Sequence, residues 1–131
     1  MAMGRFRFPT AARIGQERDF RRAYREGRRY QAFPLRLCAL RRPDAKACRL
    51  GLSVSRKVGD AVLRNRWKRA VREAFRLNRH QLRLSYDLIV SISWEARPED
   101  VRRVEASFRD LVCALNSANA GQLPATPQEQ P

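Results

Sequence analysis

KVGDAVLRNRWKRAVREAFR, residues 57–76, sets one basic stripe and one apolar stripe at helical spacing. With residues 61–80 wound at about 100° per residue, Asn65, Lys68, Arg69, Arg72 and Arg76 fall within about 60° of a common direction. Trp67, Ala70, Val71, Ala74 and Phe75 point the opposite way. Such a helix buries its apolar side against a sheet and offers cations, with one amide that donates and accepts, to a polyanion. Gly59 supplies a lead-in and Asp60 a candidate N-cap.

Outward from this helix the pattern alternates. Upstream, residues 48–54 read as a strand, Arg42, Pro43 and Asp44 as a turn, and residues 33–40 as a strand with Phe33, Leu35, Leu37 and Ala39 on one face. Pro34 confines the start of that strand to an edge or end. A short strand is expected at 28–30. A first helix is expected at 16–26, with Phe20, Ala23 and Tyr24 on one face and a stop at Gly27. Downstream, residues 87–93 form a nearly continuous apolar run, the mark of a buried strand. Pro98 opens a last helix on which Val101, Val104, Phe108, Leu111, Val112 and Leu115 recur at helical spacing, with Glu99 and Asp100 at its positive end. The order helix, strands, helix, strand, helix predicts an α+β fold: a two-layer sandwich of a small mixed sheet with packed helices. We divide the chain into a flexible basic and aromatic arm at 1–12 (Arg5, Phe6, Arg7, Phe8, Pro9), one RNA-binding domain at 13–116 and a disordered tail at 117–131.

Charge narrows the function. Lys and Arg number 28 against 13 Asp and Glu, a formal net charge of +15. The excess is mostly arginine, whose planar fork suits phosphate and stacked bases. No run of about 18 apolar residues and no secretion signal occurs, so a cytoplasmic protein without membrane contact is expected. Cys38, Cys48 and Cys113 are odd in number and widely spaced, which fits buried or half-buried small hydrophobes and not a disulfide framework or zinc pair. His80, the sole histidine, reads as a surface residue.

Catalytic machinery is missing. A metal-dependent nuclease needs clustered carboxylates. Here Asp19, Glu26, Glu73, Glu105 and Asp110 are scattered among basic residues as helix-face ion pairs. Ser53 and Ser55 have no nearby base, and the glycines make no phosphate-binding loop. No residue is assigned a catalytic role and the protein alone is expected to hold no metal.

GLSVSRKVG at 51–59, followed by AVLRNRWKRAVREAFR, resembles the protein component of bacterial ribonuclease P, and the likeness runs from about Arg13 to Leu115. The resemblance implies an accessory subunit of an endoribonuclease whose catalyst is a magnesium-binding RNA, and whose reaction removes the 5′ leader of precursor tRNA. It implies that Arg56, Lys57, Arg64, Asn65, Arg66, Lys68, Arg69, Arg72 and Arg76 lie against the catalytic RNA near its metals. Phe20 and Tyr24 then line a cleft for the single-stranded leader. The expected partners are the catalytic RNA and precursor tRNA, with no obligate protein partner. The same resemblance implies a left-handed crossover through the basic helix. Three features depart from the pattern: Trp67 stands where an aliphatic residue is expected, Cys38 where some members carry an aromatic, and the tail after Asn116 has no counterpart. Without the resemblance, a ribosomal or other structural RNA-binding protein would be the next reading. A DNA reader fits less well, because the stripe is almost wholly cationic and suits phosphates more than base edges.

Overall fold

The computed structural model describes residues 12–45 and 47–119. Helix α1 spans Glu17–Glu26, strands β1 and β2 span Arg28–Ala32 and Leu35–Arg41, and β3 spans Arg49–Ser53. Helix α2 is Ala61–Asn78, β4 is Tyr86–Ile92 and α3 is Val104–Asn119, with short 3-10 turns at Arg56–Val58, Arg79–Gln81 and Pro98–Arg103. The strands form one mixed sheet in the order β1-β2-β4-β3, antiparallel except for the β3–β4 pair. A parallel neighbour needs a crossover, and α2 is that connection.

Strand alternation assigns the two faces. Leu35, Leu37 and Ala39 of β2 and Leu88, Val90 and Ile92 of β4 meet Trp67, Val71, Ala74 and Phe75 of α2 and Val104, Phe108, Leu111, Val112 and Leu115 of α3. Phe75 and Phe108 join the two helices edge to face, with ring centroids 6.3 Å apart. On the other face, Cys38 and Ile89 meet Ile14 and Ala23, with Phe20, Tyr24 and Leu40 packed around them. The sheet and the α2–α3 pair are the two expected layers, and α1 adds a partial third. Trp67 is fully buried, and its Nε1 has no hydrogen-bond partner among the described residues, so it serves as a large apolar plug where a smaller aliphatic side chain was expected.

Several boundaries move, each for a local reason. Ala12, placed in the arm, is buried in the main core, and Arg13 makes a parallel bridge to Leu50. The rest of the arm, with Arg5, Phe6, Arg7, Phe8 and Pro9, lies outside the described residues. At the other end α3 continues through Asn119, beyond the limit drawn at 116, and the tail from 120 onward lies outside the described residues. Helix α2 stops at Asn78, whose amide donates to the Ala74 carbonyl at 2.8 Å. Pro98 opens the 3-10 turn and not the α-helix itself. Phe33 sits in the β1–β2 turn and is exposed instead of continuing the buried face of β2. Cys38 and Cys48 are buried as expected, but Cys113 is exposed, because it falls on the outer side of α3 between Val112 and Ala114.

Gly27 ends α1 without a left-handed backbone. A Cβ there would stand 2.6 Å from the Ala23 carbonyl oxygen and 2.8 Å from that of Ala39, so only glycine lets the chain turn into β1.

Candidate nucleic-acid interface

The basic helix is anchored at its start. Gly59 has φ +156°, a backbone conformation that residues with a side chain rarely adopt, so the lead-in needs glycine. Asp60 caps the helix, its Oδ1 accepting from the Leu63 N–H at 2.9 Å. The Arg64 Nε donates to the Gly59 carbonyl at 3.1 Å, which ties the first arginine of the Arg-Asn-Arg run to the lead-in. With the apolar stripe held in the core, Asn65, Arg66, Arg69 and Arg72 are exposed, and Arg64, Lys68 and Arg76 are half-buried. Arg56 and Lys57 are exposed on the 3-10 turn just ahead of the helix. Arg76 differs from the others in being paired with Glu73, its Nε 3.1 Å from Oε1. That hydrogen bond pushes the Glu73 carboxyl below the ordinary carboxylate value.

A cleft of about 180 Å³ opens where α1 crosses the β3 edge. Its floor is Leu50, Gly51 and Leu52, one wall is Ile14 and Phe20, and its rim carries Arg13, Lys68 and Arg72. The Phe20 ring lies directly over Gly51, where a Cβ would come within 2.7 Å of Phe20 Cζ. Glycine at 51 therefore makes room for the ring. Although Arg72 is exposed, partial desolvation of its guanidinium first, then the nearby charges of Arg13 and Arg69, push it below an arginine's ordinary value. Cations crowded on one rim gain when an anion arrives.

Members of the two sets singled out from sequence thus meet at one place, where Phe20 from α1 lines the same cleft as Lys68 and Arg72 from α2. Tyr24 lies one turn further along α1, outside that cleft. The Arg29 guanidinium lies 5.6 Å from the Tyr24 ring centre and donates to the Tyr24 carbonyl at 2.9 Å. Both rings are half-buried against the smaller core, so each packs on one side and is open on the other.

Sequence reasoning missed the node that holds this cleft together. Asp87 is buried and accepts from Arg49 twice, Nε to Oδ1 at 2.8 Å and Nη2 to Oδ2 at 2.7 Å, and from Arg42 Nη1 at 3.1 Å. Arg49 also reaches Asp19 Oδ2 at 3.5 Å, so one guanidinium links β4, β3 and the first turn of α1 beside Phe20. The hydrogen bonds to Asp87 raise the Arg49 pKa. A charged residue opening an apolar strand run was the available signal. Among the described residues, no three His, Cys, Asp or Glu side chains come together in a way that could hold a metal ion, and no helix is long and apolar enough to cross a membrane.

The chain is similar to known proteins in sequence and fold. The family model described as Ribonuclease P matches residues 8–116. The ribonuclease P protein component of Dictyoglomus thermophilum is 41% identical over 90 residues, covering 69% of this chain and 74% of the relative. That of Desulfovibrio desulfuricans is 42% identical over 114 residues, covering 84% of this chain and 87% of the relative. Among solved structures, the RNase P protein of Staphylococcus aureus superposes with a TM-score of 0.71 at 28% identity, over 88% of this chain and 100% of that one. The RNase P protein of Thermotoga maritima, in complex with 1-(4-fluorophenyl)-2-thiourea, gives 0.68 at 30% identity, over 76% of this chain and 96% of that one.

Proposed function

The chain belongs to the ribonuclease P protein family, as the accessory protein subunit of that tRNA 5′-processing ribonucleoprotein, and from its geometry we propose which surface meets which RNA. The outer face of α2 and its lead-in, Arg56, Lys57, Arg64, Asn65, Arg66, Lys68, Arg69, Arg72 and Arg76, binds the catalytic RNA. The cleft between α1 and β3 takes the single-stranded 5′ leader of precursor tRNA. One base lies against Phe20 in the cleft and another against Tyr24, one turn further along α1 and outside it, and the phosphates lie near the rim cations. The observation that carries this reading is the cleft that holds an aromatic ring over a glycine floor together with Lys68 and Arg72. Aromatic faces stack on any base, and cations follow the backbone without reading sequence, which suits leaders of differing sequence.

The division of labour follows from what the chain offers. Asp19, Glu73 and Asp87 are each engaged by arginine, so these carboxylates do not suit a magnesium ion. Magnesium held by the RNA would supply the charge stabilisation for phosphodiester hydrolysis. The protein's part is to position the leader and to offset phosphate repulsion between substrate and catalytic RNA. Lys68 and Arg72 border both surfaces and bring the two RNAs together. The protein acts in the cytoplasm, as one RNA-binding domain that takes in Ala12 and the whole of α3, with RNA and no other protein as its required partner.

The test is cleavage of precursor tRNA by protein alone, by catalytic RNA alone and by both, at low magnesium. Activity in the last mixture only is expected. Cleavage by protein alone, or no stimulation of the RNA, would refute this reading.

A further inference from the structure

The end of the sheet where α2 begins carries two aromatic side chains that neither RNA surface above accounts for. Trp94, in the turn after β4, is 55% exposed, and Phe33, in the β1–β2 turn, is 38% exposed. The two turns are joined, because the Ser93 N–H donates to the Pro34 carbonyl at 2.9 Å. Ser107 Oγ of α3 fixes the second turn by donating to the Phe33 carbonyl at 2.7 Å. A cation stands over each ring: Lys57 Nζ is 4.0 Å from the Trp94 centre, and Arg103 Cζ is 5.8 Å from the Phe33 centre.

Both members of the Trp94–Lys57 pair rise from ordered backbone. The Trp94 turn closes through the Ala96 N–H on the Ser93 carbonyl at 3.0 Å and the Glu95 N–H on Ser93 Oγ at 3.2 Å. Lys57 sits in the 3-10 turn capped by Ser55 Oγ at 3.1 Å and pinned by the buried Val58. An exposed indole on a fixed base, with a cation beside it, has the two parts a nucleotide requires: a π-face for the base and a positive charge for the phosphate.

We propose that Trp94, with Lys57 over its ring, is a stacking platform for an unpaired base of the catalytic RNA. The inference rests on the assignment of the α2 face to that RNA and extends it around the start of the helix. Position selects the catalytic RNA over the leader. Lys57 lies just ahead of the first turn of α2, in the lead-in whose Gly59 carbonyl accepts from Arg64, whereas the leader cleft meets α2 at Lys68 and Arg72, about two to three turns further on. Stacking requires an unpaired base, so the partner is a loop, bulge or junction of the RNA and not a continuous duplex.

The chain's two tryptophans make the test spectroscopic. Trp67 is 0% exposed and Trp94 55%, so acrylamide added to the full-length protein should shorten the fluorescence lifetime of Trp94 and leave Trp67 unaffected. Saturating catalytic RNA should abolish the quenchable component, and a single-stranded leader oligonucleotide should not. Trp94→Leu should weaken binding of the catalytic RNA roughly 5- to 150-fold without changing the melting temperature. If the RNA binds at normal affinity while Trp94 stays fully quenchable, the platform is refuted and the α2 assignment stands. Protection by the leader oligonucleotide instead of the catalytic RNA would also refute it, and failure of the RNA to bind at all would overturn both. The quenching experiment uses the unmodified chain, so its outcome does not depend on how the variant folds.

Discussion

Replacing Asp87 by alanine tests whether the Arg42–Asp87–Arg49 node holds the cleft. The carboxylate's side chain is 4% exposed and those of Arg49 and Arg42 are 23% and 33% exposed, so the substitution strands two partly buried guanidiniums. Breaking a buried pair by removing one partner costs about 3–5 kcal/mol. Because both arginines keep some water, the lower end, about 3 kcal/mol, is the expectation. At about 4–8 °C per kcal/mol for a domain of about 100 residues, the melting temperature should fall by roughly 12–24 °C. Asp19→Asn is the internal control. It removes only the 3.5 Å contact between side chains 23% and 25% exposed and leaves the two-pronged Arg49–Asp87 pair intact, so it should cost about 1 kcal/mol or less. Thermal unfolding followed by circular dichroism reads both variants under one set of conditions. A loss below about 1 kcal/mol for Asp87→Ala, or equal losses for the two, would refute the claim that the node is a buried structural tie.

Other consequences are as specific. Gly51→Ala places a Cβ 2.7 Å from Phe20 Cζ, so the ring must swing outward, and precursor tRNA affinity should fall while the protein stays folded. Unchanged affinity would mean that the ring position does not matter. Burial raises the Cys38 and Cys48 thiols above their ordinary value, which keeps them protonated at pH 8, whereas Cys113 is exposed. A thiol reagent at that pH should therefore titrate one cysteine quickly and two only after unfolding. Three fast thiols would contradict the packing. The net charge of +15 and the crowding of Arg72 by Arg13 and Arg69 predict that sulfate raises the melting temperature, since an anion bound only to the folded state stabilises it. An equal rise with a chloride salt at matched ionic strength would reduce this to general screening.

The elements were legible wherever one face had to be apolar. Val71, Ala74 and Phe75 repeat at helical spacing, Leu35, Leu37 and Ala39 alternate, and both patterns reach the core as periodicity requires. Element ends were less legible, because they depend on single contacts such as Asn78 on the Ala74 carbonyl. The third layer could not be foreseen, since a half-buried face at Phe20 and Tyr24 looks the same whether the helix sits on one side of the sheet or the other. The site divides in the same way. Cations on α2 announce themselves by composition, but the partnership of Phe20 with Gly51, and of Arg49 with Asp87 across 38 positions, exists only once β3 and β4 lie side by side.

The central claim, that α1 and β3 frame a site for the leader, is tested most directly by one comparison. Precursor and mature tRNA are bound to holoenzyme assembled with wild-type protein or with Phe20→Ala. Stacking on an aromatic ring is worth about 1–3 kcal/mol per base, so precursor affinity should fall roughly 5- to 150-fold. Mature tRNA, which has no leader, should bind as before. Equal losses for the two tRNAs, or no loss for the precursor, would contradict the account and leave Phe20 a packing residue of the smaller core.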